Sequence, residues 1–256
     1  MSGRMFENKV VLVTGGGQGM GRAAARRFAE EGAKVGVVDI DFKRAESTVR
    51  AIHDAGGEAI ALHADVALEA DNDRIMDETS SRFGGLDVVH LNAGVLGHIG
   101  NFFESTAENF DRVVAINLRG CYLGLKSAGR VLRPEGAVVA MSSTAGTMGW
   151  AENVTYSATK HGIIGLVKTA ATAYGARGLR VNAICPGTVN TRMFNPTPTE
   201  DPIVPASELK VSPFRGVATA QHVAELVLYL ASSRAAYITG TIVVADGGLT
   251  SSFVAG

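Results

Sequence analysis

Cysteine and aromatic residues are scarce in this chain, and charge of either sign is not in excess. Only two cysteines, Cys121 and Cys185, occur in 256 residues, each in an apolar run, so no disulfide framework is expected. The formal net charge is −1, which argues against a basic surface for nucleic acid. No run approaches the roughly 18 apolar residues of a membrane helix, and residues 1–9 contain no apolar signal segment. The six histidines show no metal-ligand spacing. We therefore expect a cytoplasmic protein that binds no nucleic acid, membrane or metal ion.

Hydrophobic residues are nevertheless abundant, at 46%, and they occur in short runs that alternate with helical stretches. The predicted strands are 9–14, 34–40, 58–66, 86–94, 136–143, 179–187 and 240–246. The predicted helices are 21–32, 42–57, 67–84, 107–133, 153–177 and 219–232. Apolar strands separated by helices indicate a parallel sheet covered on both faces. The sequence thus predicts an α/β protein, a single-domain Rossmann fold over residues 1–256 with a doubly wound, seven-stranded parallel sheet.

One segment departs from this alternation. Five of the seven prolines lie between Pro196 and Pro213. A proline-rich excursion of this length inside a compact domain is more typical of a functional loop than of a core element. We predict a substrate-binding loop at about residues 190–215.

A glycine-rich turn, VTGGGQGMGR, joins the first predicted strand to the first predicted helix. Gly15, Gly19 and Gly21 have the spacing Gly-x-x-x-Gly-x-Gly, which allows a tight turn and close approach of the backbone to a diphosphate. A glycine-rich turn can also be purely structural. Its position between strand and helix favours dinucleotide binding.

The second predicted strand ends at Asp39, 24 residues after Gly15, near the spacing at which an acid binds the adenosine ribose. A carboxylate there can accept hydrogen bonds from both ribose hydroxyls and would repel a 2′-phosphate. Gln18 adds no positive charge to the glycine turn, and Arg22 and Lys43 do not lie directly beside Asp39 in the sequence. NAD is therefore predicted in preference to NADP.

Two more strand ends fit a dinucleotide groove. Asp65 and Val66 follow the third strand, where Asp65 could bind the adenine amino group, although a helix cap explains it equally well. Asn92, Ala93 and Gly94 follow the fourth strand, where small residues let a cofactor lie against the backbone.

Four polar residues complete the pattern. Tyr156 and Lys160 are four residues apart and so share a helix face. Ser143 ends the fifth strand, which places it beside the start of that helix. Asn117 lies within an apolar helical run, where a polar side chain needs a partner.

Together these motifs resemble the short-chain dehydrogenase/reductase family over nearly the whole chain. The matching segments are Thr14-Gly-Gly-Gly-Gln-Gly19-Met-Gly21, Asn92-Ala-Gly94, Asn117, Ser143, Tyr156-x-x-x-Lys160 and Pro186-Gly187. The resemblance implies an NAD(P)-dependent oxidoreductase of secondary alcohols or ketones, with Asn117, Ser143, Tyr156 and Lys160 as catalytic residues. The Tyr-x-x-x-Lys spacing argues against the enoyl-reducing branch of the family.

The residue types suit this chemistry. A free tyrosine has a pKa of about 10, and a lysine charge about 4 Å away is worth up to about 4 kcal/mol at an effective dielectric constant of about 20. Lys160, together with an oxidised nicotinamide, is therefore expected to lower the pKa of Tyr156, which would move the hydroxyl proton as hydride is transferred. Ser143 would bind the reacting oxygen. Ser142 is its rival, but a separation of 13 residues from Tyr156 favours Ser143.

The resemblance also implies finer roles. Lys160 would hold the nicotinamide ribose, Asn117 would order a water, and Val189 and Thr191 would line the carboxamide. The expected cofactor-binding residues are Gly15, Gln18, Gly19, Met20, Gly21, Asp39, Ile40, Asp65, Val66, Asn92, Ala93, Gly94, Tyr156, Lys160, Pro186, Gly187, Val189 and Thr191. The expected substrate-binding residues are Ser143, Met148, Trp150, Tyr156, Met193 and Phe194. Their apolar members suit a hydrophobic or cyclic substrate, although such residues serve equally often in packing.

Two alternatives stay open from the sequence. A 3-oxoacyl-thioester reductase would normally use NADPH and carry a basic patch for its carrier protein, and Asp39 argues against NADPH. A non-catalytic dinucleotide-binding scaffold would have no need of the Asn-Ser-Tyr-Lys set. The resemblance further implies a homotetramer in which the helices at 107–133 and 153–177 pair between subunits.

Overall fold

A computed structural model describes residues 3–193, 212–214 and 216–251. Most of the predicted substrate loop at 190–215, including Phe194, therefore lies outside the described residues. Cys121 and Cys185 are both buried and are not joined in a disulfide, as expected.

The described residues contain seven strands, and these form a single sheet with every neighbouring pair parallel. The strands are β1 Val10–Thr14, β2 Lys34–Asp39, β3 Glu58–His63, β4 Val88–Leu91, β5 Ala137–Met141, β6 Arg180–Pro186 and β7 Ile242–Ala245. Their order across the sheet is β3-β2-β1-β4-β5-β6-β7. The winding reverses between β1 and β4, and in such sheets the crevice at the carboxyl ends of these strands binds ligands.

Helices cover both faces of the sheet. They are α1 Gly19–Glu30, α2 Phe42–Asp54, α3 Glu69–Phe83, α4 Ala107–Val113, α5 Gly120–Val131, α6 Val154–Tyr174 and α7 Ala220–Ala231. One core joins the sheet to α1, α2 and α7, for example through Phe28 and Val227. The other joins it to α3, α5 and α6, through Met76, Leu125 and Val167. Burial of each such side chain stabilises the fold by about 1.5–3 kcal/mol. The predicted doubly wound α/β fold is confirmed.

The predicted single helix at 107–133 is wrong in detail. Between α4 and α5 the chain forms a wider π-helical turn, Val114–Arg119, and Asn117 lies within it. The Asn117 side chain accepts a hydrogen bond from the Val95 amide at 2.8 Å and donates to the Val95 carbonyl at 2.9 Å. A π turn inside a helix commonly marks a functional position. Here it presents Asn117 to the loop after β4.

The helix predicted at 153–177 ends earlier, at Tyr174, and continues as a short 3-10 turn, Gly175–Arg177. The fourth strand also ends earlier than predicted, at Leu91, because the following Asn92 turns to bind the end of β1. Across residues 3–193, 212–214 and 216–251, no helix has the length and apolar character needed to span a membrane.

Candidate active site

A groove of about 450 Å³ lies at the carboxyl ends of β1, β2, β3 and β4, a size typical of small-molecule sites. Many of the predicted cofactor residues line it together: Gly15, Gln18, Gly19, Met20, Asp39, Ile40, Asp65, Val66, Asn92, Ala93, Gly94 and Thr191. The fold thus brings the motifs of four separate strand ends to one place.

The glycine turn is held close to the end of β4. The Asn92 side chain donates hydrogen bonds to the carbonyls of Thr14 at 3.0 Å and Gly15 at 3.1 Å. A β-carbon at Gly21 would overlap the Gly15 carbonyl oxygen and the Asn92 side chain, so only glycine fits there. Gln18, at the N-cap of α1, makes no capping hydrogen bond through its side chain within the described chain. The first-turn N–H groups of α1 are therefore available to an anion at the groove.

Asp39 is buried and rigidly oriented. One of its carboxylate oxygens accepts the Gly17 amide at 3.0 Å, and the other accepts the Asp41 amide at 3.0 Å. Each oxygen can accept further hydrogen bonds, so the carboxylate can also bind ribose hydroxyls.

Asp65 also lines the groove, but it is not a helix cap. Its carboxylate accepts the Ala67 amide at 2.9 Å and so shapes the turn after β3, whereas the N-cap of α3 is Leu68. The amide of Asp65 itself donates to Asp71 at 2.8 Å. Asp65 thus both lines the groove and stabilises the turn after β3. From the sequence alone, this turn-forming role could not be distinguished from helix capping.

Beside the groove, Tyr156 and Lys160 lie on one face of α6, as predicted. The Lys160 Nζ lies 5.3 Å from the centroid of the Tyr156 ring and donates to the Met141 carbonyl at 2.8 Å. Both side chains are buried. A β-carbon at Gly94 would lie 3.6 Å from this Nζ, so the lysine reaches the edge of the groove.

The two serines after β5 have different partners. Ser142 is buried and donates to the Lys160 carbonyl at 2.8 Å, which ties β5 to α6. Ser143 accepts the Ala145 amide at 3.2 Å and lies near the Tyr156 side chain, where it favours a lower Tyr156 pKa. Ser143 is therefore the serine next to the tyrosine hydroxyl, in keeping with the predicted assignment.

Burial dominates the electrostatics of the tyrosine and the lysine. It raises the pKa of Tyr156, and the neighbouring Ser143 only partly opposes this. Burial also lowers the pKa of Lys160, to about 8, since its ammonium group is removed from water. Burial therefore favours the neutral form of the Tyr156 hydroxyl, whereas the lowering of its pKa expected from Lys160 together with an oxidised nicotinamide stays a prediction.

Asn117 is buried, and its side-chain amide is engaged by Val95 and, at 3.3 Å, by the Thr159 hydroxyl. These contacts connect the loop after β4 to α6. The water-ordering role that the resemblance implied for Asn117 stays a prediction, since its side chain is occupied by these protein partners.

Of the residues predicted to bind the cofactor in and after β6, only Thr191 lines the groove. A β-carbon at Gly187 would lie 2.9 Å from Asp246, and Val189 is buried in a β-bridge to Ala218. Thr191 lines the groove opposite Gly19. Pro186, at the end of β6, lies outside the groove lining, as do Gly187 and Val189.

Of the apolar residues predicted to bind substrate, Trp150 lies beside Tyr156 and Met193 lies in the groove. Trp150 meets the Tyr156 ring edge-on, with centroids 6.1 Å apart. Met193 lines the groove and is 41% exposed, and Met148 is 47% exposed. Exposed methionines next to a site are available to an apolar ligand.

Several groove residues were missed from the sequence, chiefly Asp41, Arg44, Ile116 and Arg192. Asp41 accepts the Arg44 amide at 3.4 Å as the N-cap of α2. An aspartate directly before a helical run is a recognisable capping signal. It would have placed both residues at the start of α2, beside Asp39.

Comparison with known proteins bears directly on this arrangement. A family model described as "Enoyl-(Acyl carrier protein) reductase" matches residues 15–250. Levodione reductase of Leifsonia aquatica is 38% identical over 257 residues, covering 97% of this chain and 96% of the relative. The chain belongs to the short-chain dehydrogenase/reductase family.

Two further comparisons, with one more relative and with a crystal structure, extend over almost the whole chain. Cis-4-hydroxycyclohexanecarboxylate dehydrogenase of Sinomonas cyclohexanicum is 36% identical over 250 residues, covering 97% of this chain and 99% of the relative. A crystal structure of levodione reductase superposes with a TM-score of 0.90 at 37% identity, covering 97% of this chain and all of that one. The predictions of family and of an oxidoreductase with a nicotinamide cofactor are confirmed.

Proposed function

We propose that this short-chain dehydrogenase/reductase is NAD-dependent and transfers a hydride between nicotinamide and a hydrophobic or cyclic secondary alcohol or ketone. One observation carries the proposal. The Tyr156 side chain, near Ser143 and adjacent to Lys160, lies beside a groove whose opposite end contains the fixed carboxylate of Asp39.

The residues fit a dinucleotide. The turn around Gly21 leaves no room for a side chain, and the N-terminus of α1 offers uncapped N–H groups for a diphosphate. Asp39 supplies acceptors for ribose hydroxyls, and Lys160 reaches the groove edge at Gly94. When bound, the nicotinamide supplies or accepts the hydride.

The chain itself supplies the proton chemistry. In ketone reduction, the neutral Tyr156 hydroxyl donates its proton to the carbonyl oxygen of the substrate, while Ser143 hydrogen-bonds that oxygen. In alcohol oxidation, the Tyr156 oxygen takes the hydroxyl proton. Because burial raises the pKa of Tyr156, oxidation needs the positive charge of Lys160 and of the oxidised cofactor to favour the phenolate.

The preference for NAD is supported by Asp39. Its carboxylate cannot rotate away from the groove without losing two backbone hydrogen bonds, to the amides of Gly17 and Asp41. A 2′-phosphate placed there would meet a fixed negative charge. Repulsion between the Asp39 carboxylate and the 2′-phosphate disfavours binding, so NADPH should bind more weakly than NADH.

The substrate class is supported by the apolar side chains of Trp150, Met148 and Met193. A relative that is 36% identical is named for a hydroxycyclohexanecarboxylate, an alcohol on a six-membered ring. We extend this class to the present chain. Phe194, the remaining apolar substrate residue, lies outside the described residues, and a single domain, the homotetramer and the cytoplasmic location stay predictions.

The test combines binding with turnover. NADH and NADPH are titrated side by side by fluorescence, and reduction of a panel of cyclohexanones is followed with the tighter cofactor. The panel includes 3-oxoacyl and enoyl thioesters, since the matching family model is described as an enoyl reductase. We expect tighter NADH binding and turnover of a cyclic ketone.

The decisive variant is Tyr156→Phe, with Tyr122→Phe on the exposed surface of α5 as its matched control. Loss of the acid should reduce turnover by about 10²–10⁴-fold with NADH binding retained, whereas the control should match the parent enzyme. Tighter NADPH binding with turnover of thioesters alone would replace the proposal by an acyl-thioester reductase. Binding without any turnover across the panel would favour a scaffold.

A further inference from the structure

Three charged side chains meet at the adenosine end of the groove, although only Asp39 was expected there. Asp41 and Arg44 line the same groove. The Nε atom of Arg44 lies 3.0 Å from a carboxylate oxygen of Asp41, and its Nη1 donates to the Gln18 side chain at 2.9 Å. Arg44 therefore bridges the glycine turn and the start of α2.

The contact between Arg44 and the glycine turn is close. A β-carbon at Gly17 would lie 2.6 Å from the Arg44 Cβ and 2.7 Å from an Asp39 carboxylate oxygen. The turn, the Asp39 carboxylate and the stem of Arg44 thus meet at one point. Any group that binds Asp39 from the groove has the Arg44 side chain as a neighbour.

Asp39, Asp41 and Arg44 differ in how freely their side chains can change conformation. Asp39 is buried and held by two backbone amides, so its charge stays in place. Arg44 and Asp41 are partly exposed, at 44% and 43% of their side-chain surfaces. A partly exposed arginine can change its rotamer, and the guanidinium binds a phosphate readily once it is released from a carboxylate.

We propose that Asp41, through its ion pair with Arg44, sets the preference between NAD and NADP. The pair holds the guanidinium between Asp41 and Gln18 and neutralises it, which leaves the charge of Asp39 uncompensated at the ribose. Removal of the Asp41 charge frees Arg44 to bind a 2′-phosphate beside Asp39. Arg44 and Asp41 are thus specificity-determining residues, an inference that rests on the proposed preference for NAD.

The experiment is a double-mutant cycle on the ratio of NADPH to NADH dissociation constants. Asp41→Asn removes the charge but keeps the cap of α2, because asparagine caps a helix as well as aspartate does. Arg44→Gln removes the guanidinium, and Lys43→Gln, one residue away, controls for a general loss of positive charge. The enzyme, these variants and two double variants, Asp41→Asn/Arg44→Gln and Asp41→Asn/Lys43→Gln, are titrated with both cofactors.

We expect Asp41→Asn to tighten NADPH binding by about tenfold and to change NADH binding by less than about twofold, since only NADPH gains an arginine–phosphate contact. The gain should disappear in the double variant and shrink between about 0.02 M and about 0.5 M salt. Lys43→Gln combined with Asp41→Asn should keep the gain.

The contrary results are distinct. An equal gain in the presence and absence of Arg44 would show a general charge effect and overturn the inference, as would no gain at all. If the parent enzyme binds NADPH more tightly than NADH, the proposed NAD preference is wrong. The cycle then still measures the coupling between Asp41 and Arg44. If Arg44→Gln alone weakened that tight NADPH binding, the inference would be overturned, because Arg44 would already bind the 2′-phosphate while Asp41 keeps its charge.

Discussion

His90 should make the folded protein sensitive to acid. It lies in the middle of β4, paired with Val13 on one side and Val139 on the other, and it is fully buried. Its Nδ1 lies 2.9 Å from the Val139 carbonyl, and its Nε2 has no hydrogen-bond partner among the described residues. Burial lowers the pKa of His90 from 6.5 to about 4, because the charged imidazolium would lose its hydration in an apolar core.

The direction of this pKa shift determines how the free energy of unfolding changes with pH. Above pH 6.5 the imidazole is neutral in both the folded and the unfolded chain, so its contribution to stability is fully present. As the pH falls from about 6.5 towards about 4, the unfolded chain binds a proton that the folded chain does not. With these two pKa values, the free energy of unfolding falls by about 2 kcal/mol between pH 7.5 and pH 5.0.

The assay is urea unfolding at these two pH values, at one protein concentration. His90→Gln keeps a side-chain donor for the Val139 carbonyl but removes the titration, so its stability should fall by about 2 kcal/mol less than that of the parent between the two pH values. His161→Gln, at an exposed position on α6, is the matched control and should behave like the parent. Equal losses in the parent and His90→Gln would refute this account of the buried imidazole.

Four other outcomes are expected. Arg180→Met should lower the free energy of unfolding, measured in urea, by at least about 3 kcal/mol, because the buried guanidinium donates to two carbonyls at the end of α7 and two just after it, and each buried carbonyl left without a donor costs about 1–3 kcal/mol; a change under about 1 kcal/mol would contradict this. Gly21→Val should weaken NADH binding by more than about tenfold in a fluorescence titration, because a side chain there overlaps the glycine turn. Ser143→Ala should lower kcat by about 10²-fold, whereas Ser142→Ala should mainly lower the free energy of unfolding, by about 1–3 kcal/mol. Gly165→Leu, which meets open space within one chain, should reduce the mass seen by light scattering if α6 pairs in a tetramer, and an unchanged tetramer would count against pairing through that face.

Much of the fold was predictable because its signals are local. Most strands are short apolar runs, and glycines follow several of the helices, so periodicity and turn residues locate the elements to within a few residues. The exception is the stretch around Asn117. Its π turn follows from hydrogen bonds to Val95, a residue 22 positions earlier, and helical periodicity contains no information about such a partner.

The residues of the candidate site also divide into those that the sequence identifies and those that only the fold identifies. The sequence was enough to pick out Gly21, Asp39, Tyr156 and Lys160. Their residue types and spacings form motifs that can be recognised without knowledge of the fold. Arg44 could not be assigned a role, because its meeting with Asp39 depends on how α2 starts against the glycine turn.

The sequence by itself was therefore enough to predict the sheet, the family and the strand-end motifs that line the groove. Only the folded arrangement shows that Ser142 braces α6 while Ser143 meets Tyr156, and that Asp41 holds Arg44. It also buries Tyr156, which raises the pKa of its hydroxyl. The physical reason is common to all of these: hydrogen-bond partners and loss of water are set by groups that are distant in sequence and meet at the strand ends.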